Sequence, residues 1–410
     1  MTLFTRSDDV RKGNRRRIID AVRRKTAPSR TDIQHLTSLS PATVSAITSS
    51  LIDERVLIYP DTEKLIGAGR GRPKVALALN PDAALVGTII FRHNIISTEI
   101  ANYAGQTVAK HTTKLVTAEA SPSELKKALQ NCLIHAIAQF DAKPVTLDRI
   151  SVGIQGVIDI AGTTLLWSPI TKHQNLPIKV WLQDYFATPT HISNDCDMIS
   201  QALNWREPHK YGTNFASVLL ANGVGMGLFL RGRLINGTRS SGTEFGHMTY
   251  LPGGALCRCG SYGCIEAYAS AYAIARRAQN APQNSLPVEL QSSHDIASIV
   301  EAAKQGDQPS LDAIVAAGDA IGTGLANIYA LVDPFPIVLV GSGVVAFDLM
   351  EPAIRKSLSA TVAGKQLENI PIECFSDETT LVREGCMVSA LMAHDGTFAE
   401  FGPDVEAASG

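Results

Sequence analysis

The sequence lacks a long apolar run, a secretory leader and a high density of charge. No apolar stretch reaches the roughly 18 residues that a membrane-spanning helix needs. Residues 1–17 have no signal-peptide apolar core, so we expect a cytoplasmic protein without membrane insertion. Charged residues make up 19% and hydrophobic residues 45% of the chain, which excludes a disordered protein and indicates a globular one.

The charge is distributed unevenly along the chain. At 410 residues the chain is too long for one ordinary core, so two or three domains are expected. Residues 1–80 hold 15 Lys/Arg and 8 Asp/Glu, whereas the remainder holds 22 and 31. A basic segment on an acidic body predicts that only this segment meets an anionic polymer such as nucleic acid. A merely solvated basic face is the alternative.

The N-terminal 80 residues carry the pattern of three helices followed by a β-hairpin. Ser40 is a good N-cap, and Pro41 suits the first position of the third helix. Apolar periodicity places the elements as follows: helices at 14–24, 32–37 and 41–54, and strands at 56–59 and 75–79. This pattern is typical of a winged helix-turn-helix, so we assign residues 1–80 to a DNA-binding domain.

A helix-turn-helix reads the major groove with exposed side chains near the start of its second helix. The side chains expected to contact DNA here are Arg16, Ala42, Thr43, Ser45, Ala46 and Thr48. In the predicted hairpin, Arg70-Gly-Arg72-Pro is an extended segment without bulky side chains, which fits a narrow A·T-rich minor groove. An ordinary exposed hairpin tip, or a helix-turn-helix used only for protein packing, is the alternative.

From residue 81 to residue 395, buried-looking strands alternate with helices. This alternation predicts an α/β domain with mixed sheets and enough length for two lobes. The predicted strands are 85–91, 95–101, 149–154, 215–220, 227–231 and 337–340; the predicted helices are 122–138, 195–205, 267–278, 296–304 and 311–331. The polar segment 395–410 is predicted to be loose, with 396–410 as a C-terminal tail.

Three of the seven cysteines lie within eight residues, close to a histidine. His247, Cys257, Cys259 and Cys264 supply one imidazole and three thiolates, a closed set that structural Zn²⁺ prefers. No ligand position is left for water, so the predicted zinc is structural and not hydrolytic. Three buried free thiols, or a catalytic thiol, are the alternatives.

The segment from His247 through Cys257-x-Cys259-Gly-x-x-Gly-Cys264-x-Glu266 resembles the signature of the ROK family of repressors, open reading frames and sugar kinases. The resemblance covers nearly the whole chain and extends to the repressor branch through the Gly-Arg-Pro hairpin. It implies an actin-like ATPase (sugar-kinase-like) fold with two lobes around a sugar cleft. The residues that match the family's sugar-holding positions are Gly153, Asn194, Asp195, Glu244, His247 and Glu266.

The phosphate loops differ from those of the family's kinases. Where the kinases carry Asp-x-Gly-Gly-Thr, this sequence has Ile89-Ile-Phe-Arg-His93, so the acidic position and both glycines are missing. Ala221-Asn222 stands where the kinases usually carry Gly-Thr, and we interpret the surviving glycines of 223–227 and 341–343 as turns required by the fold. We therefore expect no catalytic residue and no enzymatic activity.

Together these patterns predict a sugar-responsive transcriptional regulator that acts as a repressor and binds A·T-rich inverted-repeat operator DNA. The expected partners are a sugar or sugar-phosphate effector and further copies of the chain, as a homodimer or homotetramer. Two alternatives stay open. One is an active ATP-dependent sugar kinase with a DNA-binding appendage. The other is a repressor controlled by capture on a sugar-transport protein.

Overall fold

The computed structural model describes residues 7–60, 75–140, 145–286, 294–365 and 370–396, and the fold of this part is α/β. The chain forms two compact units. The first unit comprises 1–152, 177–192 and 386–410, and the second comprises 153–176 and 193–385. The divisions expected from the sequence, at residues 80 and 395, stay predictions.

The helices of the described residues are α1 (Ser7–Arg24), α2 (Arg30–Thr37), α3 (Pro41–Asp53), α4 (Pro122–Ile137), α5 (Ile178–Phe186), α6 (Asp195–Arg206), α7 (Pro208–Tyr211), α8 (Glu266–Ala269), α9 (Ala271–Ala278), α10 (His294–Lys304), α11 (Gln308–Tyr329), α12 (Phe347–Ser359), α13 (Val362–Lys365) and α14 (Glu378–His394). The strands are β1 (Leu57–Ile58), β2 (Ala78–Leu79), β3 (Leu85–Arg92), β4 (Ile95–Asn102), β5 (Thr107–Lys114), β6 (Arg149–Ile154), β7 (Val157–Ile158), β8 (Leu165–Trp167), β9 (Thr190–Asn194), β10 (Phe215–Leu220), β11 (Val224–Leu230), β12 (Arg233–Leu234), β13 (Ile337–Val340) and β14 (Ile372–Phe375).

The three predicted N-terminal helices are present, and each of the last two begins at a serine cap. The Ser29 hydroxyl accepts a hydrogen bond from the backbone N–H of Asp32, and the Asp32 carboxylate accepts one from the backbone N–H of Ser29. Ser40 caps α3 in the predicted way, with Pro41 at the first helical position. Strands β1 and β2 then pair antiparallel to each other.

Apolar side chains on both sides of residue 80 pack into one core within the first unit. Ile18 of α1, Val44 of α3 and Leu57 of β1 are fully buried in it, together with Val86 of β3 and Leu391 near the end of α14. Burying these side chains stabilises the three helices, because helices of this length are marginal in isolation. The N-terminal helices are therefore anchored to the sheet of their own unit.

Two five-stranded sheets share one strand order. The first runs β5-β4-β3-β6-β9 and the second β12-β11-β10-β13-β14. In the second sheet β10 pairs antiparallel with β11 but parallel with β13, which in turn pairs parallel with β14. In the first sheet β3, β4 and β5 form an antiparallel meander, as adjacent strands joined by short turns do. The chain therefore repeats one topology, with no short-period repeat in its sequence.

Helix α11 is the core helix of the second unit. It is the one helix in the described residues that is long and apolar enough to cross a membrane by length and composition, and 56% of its apolar window is buried inside the protein. Gly318 and Gly322 let α12 approach closely, since an added Cβ at either glycine would lie 2.6 Å from a carbonyl oxygen of α12. Its apolar character is thus explained by packing.

Several predicted boundaries are wrong. The single helix expected at 267–278 is broken at Ser270, whose side chain caps α9, and the strand expected at 227–231 is β11, which begins at Val224. Asp395, predicted to be loose, has a side chain only 2% exposed and pairs with Arg23. Among the described residues, the sequence patterns also missed eleven elements: β5, α5, β7, β8, β9, α7, β12, α12, α13, β14 and α14.

Candidate binding pocket and metal centre

The Asn194-Asp195 pair lies where β9 gives way to α6. The Asn194 side chain accepts a hydrogen bond of 2.7 Å from the backbone N–H of Cys196, and so caps the helix. Its amide nitrogen donates to the carbonyl oxygen of Gly156 at 2.7 Å. Asp195, the first residue of α6, is 8% exposed. The strand–helix junction therefore fixes an amide and a carboxylate side by side.

Glu244 and His247 come from a short 3₁₀ helix, Phe245–His247, and the residue preceding it. The Glu244 carboxylate lies 3.9 Å from Nε2 of His247. This turn packs closely on β11, because a Cβ at Gly246 would lie 2.0 Å from the carbonyl oxygen of Val224. A side chain at position 246 would therefore displace both polar residues.

Glu266 opens α8 and is held by protein partners on both carboxylate oxygens. Its Oε2 accepts from the backbone N–H of Val224 at 3.1 Å, and its Oε1 accepts from the Tyr272 hydroxyl at 3.4 Å. The residue is 6% exposed. Such a fixed carboxylate is ready to accept a hydrogen bond from a ligand hydroxyl without reorganisation.

The structure brings these side chains to one open pocket, whose empty volume is about 600 Å³. The predicted residues that line it are Asn194, Asp195, Glu244, His247 and Glu266. Gly153 does not line it but lies within β6; Gln155 and Gly156, just beyond that strand, take its place.

Sequence reasoning also missed Trp167, which lines the pocket from the end of β8. Its indole meets the His247 ring edge to face, with the ring centroids 6.2 Å apart. An aromatic wall beside several carboxylates offers an apolar surface for the C–H face of a polar ligand. A lone tryptophan between a strand and a loop carries no local signal that could have identified it.

Carboxyl groups are concentrated around the pocket. Burial raises the pKa of the Glu244 carboxyl, the charge of Glu266 raises it further, and His247 opposes both. Just behind the pocket, burial raises the pKa of Asp197 well above its usual range, and the charges of Asp195 and Glu244 add to the effect. The fold therefore holds more carboxylates here than can easily stay ionised together.

His247, Cys257, Cys259 and Cys264 converge on one point and could hold a metal ion, with all candidate ligand atoms within 4.8 Å of one another. The Sγ of Cys257 lies 3.7 Å from His247 Nδ1, and the Sγ atoms of Cys259 and Cys264 are 3.8 Å apart. Tetrahedral zinc with typical bond lengths gives edges of about 3.5 Å for S–N and about 3.8 Å for S–S. The residues present thus fit such an ion.

Burial opposes the ionisation of two of these thiols. Burial raises the pKa of Cys257, with the charge of Glu266 adding to the effect, and burial raises the pKa of Cys264 to about 11. A bound dication reverses this cost by deprotonating the thiols that coordinate it. His247 links the metal centre to the pocket, since Nδ1 faces the thiol of Cys257 and Nε2 faces Glu244.

Helix α3 exposes most of the side chains predicted to read DNA. Ala42, Ser45 and Ala46 are exposed, and Thr43 is half-buried beside Ser40. Arg16 of α1 is half-buried near Gly396. Arg70 and Arg72 lie outside the described residues.

The expected exposure of Thr48 is wrong. It is fully buried, where the sequence suggested an exposed position. Its hydroxyl donates to the carbonyl oxygen of Val44 at 2.8 Å and accepts from Nε of Arg30 at 2.9 Å. A threonine can satisfy its hydroxyl in this way inside a helix, so its polarity did not place it at the surface. Arg30 is a basic side chain of this region that sequence reasoning did not select.

Core side chains occupy the segment 89–93, which the family resemblance aligned with the kinase phosphate loop. Ile89 and Phe91 of β3 are fully buried. The surviving glycines of 223–227 are not all turns as expected: Gly225 and Gly227 lie within β11, where an added Cβ would lie 2.5 Å from Cys196 of α6. Close approach of this strand to α6 explains them without a nucleotide.

The ROK family profile matches residues 94–380 of the chain. The xylose repressor of Caldicellulosiruptor bescii is 25% identical over 370 residues, covering 88% of this chain and 91% of that protein. A crystal structure described as a ROK family transcriptional regulator, a homologue of the E. coli MLC protein, aligns with a TM-score of 0.72 at 22% identity, covering 95% of this chain and 98% of the other. A ROK family glucokinase from Streptomyces griseus aligns with a TM-score of 0.59 at 20% identity, covering 75% of this chain and 99% of the other.

Proposed function

The chain belongs to the ROK family, and from that premise we propose that it is a cytoplasmic transcriptional repressor whose binding to operator DNA responds to a sugar. The observation that carries the proposal is the single pocket in which Asn194, Asp195, Glu244, His247 and Glu266 converge. Sugar hydroxyls both donate and accept, so carboxylates and an amide fixed around one pocket can hold several of them at once. The repressor name of the C. bescii relative supports the same class of function.

The N-terminal helices supply the proposed DNA-reading element. Helix α3 follows α2 as the second helix of a helix-turn-helix, and its exposed small side chains, Ala42, Ser45 and Ala46, allow close approach to base edges. The excess of basic residues in 1–80 supplies phosphate contacts, which make the affinity depend on salt. Arg70 and Arg72 are proposed to enter an A·T-rich minor groove beside it.

The proposed regulator has no kinase activity. Phosphoryl transfer needs close backbone approach to the phosphates and an acidic group for Mg²⁺, whereas Ile89 and Phe91 fill the corresponding strand with buried apolar side chains. Asp195, which matches the catalytic base of the kinases, is proposed to bind the sugar only.

The metal is proposed to be structural zinc, since three thiolates and one imidazole complete a tetrahedral set. His247 would hold the ion through Nδ1, which faces Cys257, and would present Nε2 to the pocket beside Glu244. The order of the pocket is thereby coupled to the metal.

The regulator is proposed to act as a homodimer or homotetramer on an inverted repeat. Half-sites of such DNA lie on a fixed helical phase, so a ligand that favours one arrangement of the DNA-binding helices over another changes affinity. A sugar can do this only through different affinity for the two states.

Calorimetry with a panel of monosaccharides, run beside a coupled assay for ATP consumption, tests the proposal. We expect one or more sugars to bind the wild-type protein without ATP turnover, and Asp195→Asn to weaken that binding. Sugar-dependent ATP turnover that is lost in Asp195→Asn would instead show a kinase. Absence of sugar binding, with DNA binding intact, would favour control by a transport protein.

A further inference from the structure

A second open pocket lies within the second unit, beside α8, α9 and the start of α11. Its cavity volume is about 470 Å³, which falls in the range of small-molecule sites. It shares no lining residue with the pocket that holds Asn194 and Glu266. The proposed function therefore leaves this second pocket without a role.

Arg276 of α9 is a buried cation in the wall of this pocket, with only 7% of its surface exposed. Its Nη1 donates to the carbonyl oxygens of Leu256 at 2.9 Å and Ser285 at 3.3 Å, and its Nη2 donates to that of Ala267 at 2.9 Å. Burial lowers the pKa of Arg276, and the groups that oppose this effect in the described part of the chain are tyrosine and cysteine side chains, with no carboxylate among them. Backbone carbonyls supply hydrogen bonds but no negative charge, and a buried charge costs free energy unless an opposite charge pairs with it.

Two N–H donors of Arg276 have no protein partner among the described residues. A guanidinium carries five N–H groups, and the three bonds to carbonyls leave the one on Nε and one of the two on Nη2. Nε keeps contact with open space, and the pocket is the open space that Arg276 lines. Nε and Nη2 lie on one edge of the planar group, which is an edge that binds carboxylate or phosphate oxygens in pairs.

The charged side chains of the wall leave an excess of positive charge. Arg277, the next residue of α9, is exposed and lines the same pocket. Asp312 of α11 is the one carboxylate among the described lining residues, and it accepts a hydrogen bond of 2.7 Å from the Gln308 side chain. Two arginines against one aspartate leave one positive charge unbalanced. A ligand with an anionic group therefore meets a net attraction in this wall.

We propose that this pocket binds a small organic anion whose carboxylate or phosphate oxygens bond to Arg276. The remainder of the ligand lies against Ala267, Ala273 and Pro309, which form an apolar part of the wall. Arg277 adds a weaker attraction, because an exposed charge is screened by solvent. The site is separate from the sugar pocket, so the proposal goes beyond the proposed function and does not depend on it.

Calorimetry on the full-length protein with charged and uncharged ligands tests the proposal. The probes are inorganic phosphate and three matched pairs: glycerol 3-phosphate and glycerol, adenosine monophosphate and adenosine, and malate and malamide. We expect at least one anion of a pair to bind with a Kd below about 1 mM, and its uncharged counterpart to bind at least about tenfold more weakly. The phosphate and carboxylate arms show which oxyanion the site prefers. Absence of binding by every anion, or equal binding by the uncharged counterparts, would overturn the proposal.

Variants test whether the anion binds at Arg276. Arg276→Gln removes the charge and the paired donors, so affinity for the anion should fall about tenfold or more. Arg277→Gln changes an exposed side chain and should lower the affinity about threefold. The matched control is Arg233→Gln, which removes the same charge from an exposed position on β12 outside the pocket lining; its affinity should equal that of the wild type.

Circular dichroism checks that Arg276→Gln is folded, because its bonds to three carbonyls also support the surrounding backbone. Wild-type affinity for the anion in folded Arg276→Gln would overturn the proposal. If Arg276→Gln does not fold, Arg277→Gln decides, and wild-type affinity in that variant would overturn the proposal.

Discussion

Replacing Asp395 with alanine is expected to destabilise the unit that holds the N-terminal helices. The Asp395 carboxylate lies 2.5 Å from the Arg23 guanidinium, with side-chain exposures of 2% and 5%. It also accepts a 2.6 Å hydrogen bond from the Tyr103 hydroxyl, and the Arg23 guanidinium lies 4.8 Å from the centroid of the Tyr103 ring. One carboxylate after α14 therefore joins α1 to the residue that follows β4.

The size of the effect follows from burial. Removing one partner of a buried ion pair leaves the other charge uncompensated and costs about 3–5 kcal/mol. Replacing both partners with apolar residues of similar volume is often neutral, but the buried Tyr103 hydroxyl would still lose its acceptor, so Arg23→Met/Asp395→Leu should stay about 1–3 kcal/mol less stable than the wild type. Tyr103→Phe removes only the hydrogen bond to the carboxylate, a loss of about 1.5–3 kcal/mol.

Urea denaturation followed by circular dichroism measures these differences as changes in the free energy of unfolding. We expect Asp395→Ala to be the least stable of the three variants and the double variant to recover the part of the loss that comes from the uncompensated Arg23 charge. The ion pair does not anchor α1 if the free energy of unfolding of Asp395→Ala lies within about 1 kcal/mol of the wild-type value. The same conclusion follows if the double variant is as unstable as Asp395→Ala.

Three further predictions concern the pocket, the metal and α3. Burial raises the pKa of Asp197 in the folded protein, so protonated Asp197 stabilises the fold at low pH, and this stabilisation is lost as pH rises above the unfolded value of about 3.9. Between pH 5 and pH 8, the melting temperature of Asp197→Asn should therefore fall less than that of the wild type. Equal falls in the two proteins would contradict the raised pKa. Cys259→Ser should lower both the zinc content measured by elemental analysis and the melting temperature, whereas Cys374→Ser, an exposed cysteine outside the cluster, should leave both unchanged; full zinc content in Cys259→Ser would argue against the four-ligand site. Thr48→Val keeps the shape of the side chain but removes a buried hydroxyl that bonds to Arg30. We therefore expect the free energy of unfolding to fall by about 1 kcal/mol and DNA binding to weaken. Unchanged DNA affinity, measured by fluorescence anisotropy, would show that the position of Arg30 does not affect DNA recognition.

Local chemistry predicted part of this protein well. The Ser40-Pro41 start of α3 follows from capping, which depends on residues three positions apart. The spacing of Cys257, Cys259 and Cys264 likewise keeps the candidate ligands within one short loop. Signals of this kind survive folding because the groups involved are neighbours along the chain.

Features that depend on distant parts of the chain were harder to predict. Thr48 is buried by neighbouring side chains, because its hydroxyl finds a hydrogen-bond partner within the helix. Trp167 lines the same pocket as Asn194, although the two residues belong to different strands. Asp395 looked like part of a polar tail, yet it is buried because Arg23 lies 372 positions away in sequence and beside it in space. The shared strand order of the two sheets is set by crossovers between non-adjacent strands, which no local pattern encodes.

The most direct test of the account is the affinity of the protein for operator DNA with and without its sugar. Genomic fragments selected by the protein supply the duplex, and fluorescence anisotropy at a fixed salt concentration gives the dissociation constant. The account predicts that a sugar found by calorimetry changes this constant at least fivefold in the wild type, and that Glu266→Gln binds the same DNA but loses the response. DNA affinity that does not change with any bound sugar, or a response that persists in full in Glu266→Gln, would contradict the central claim that this pocket controls DNA binding.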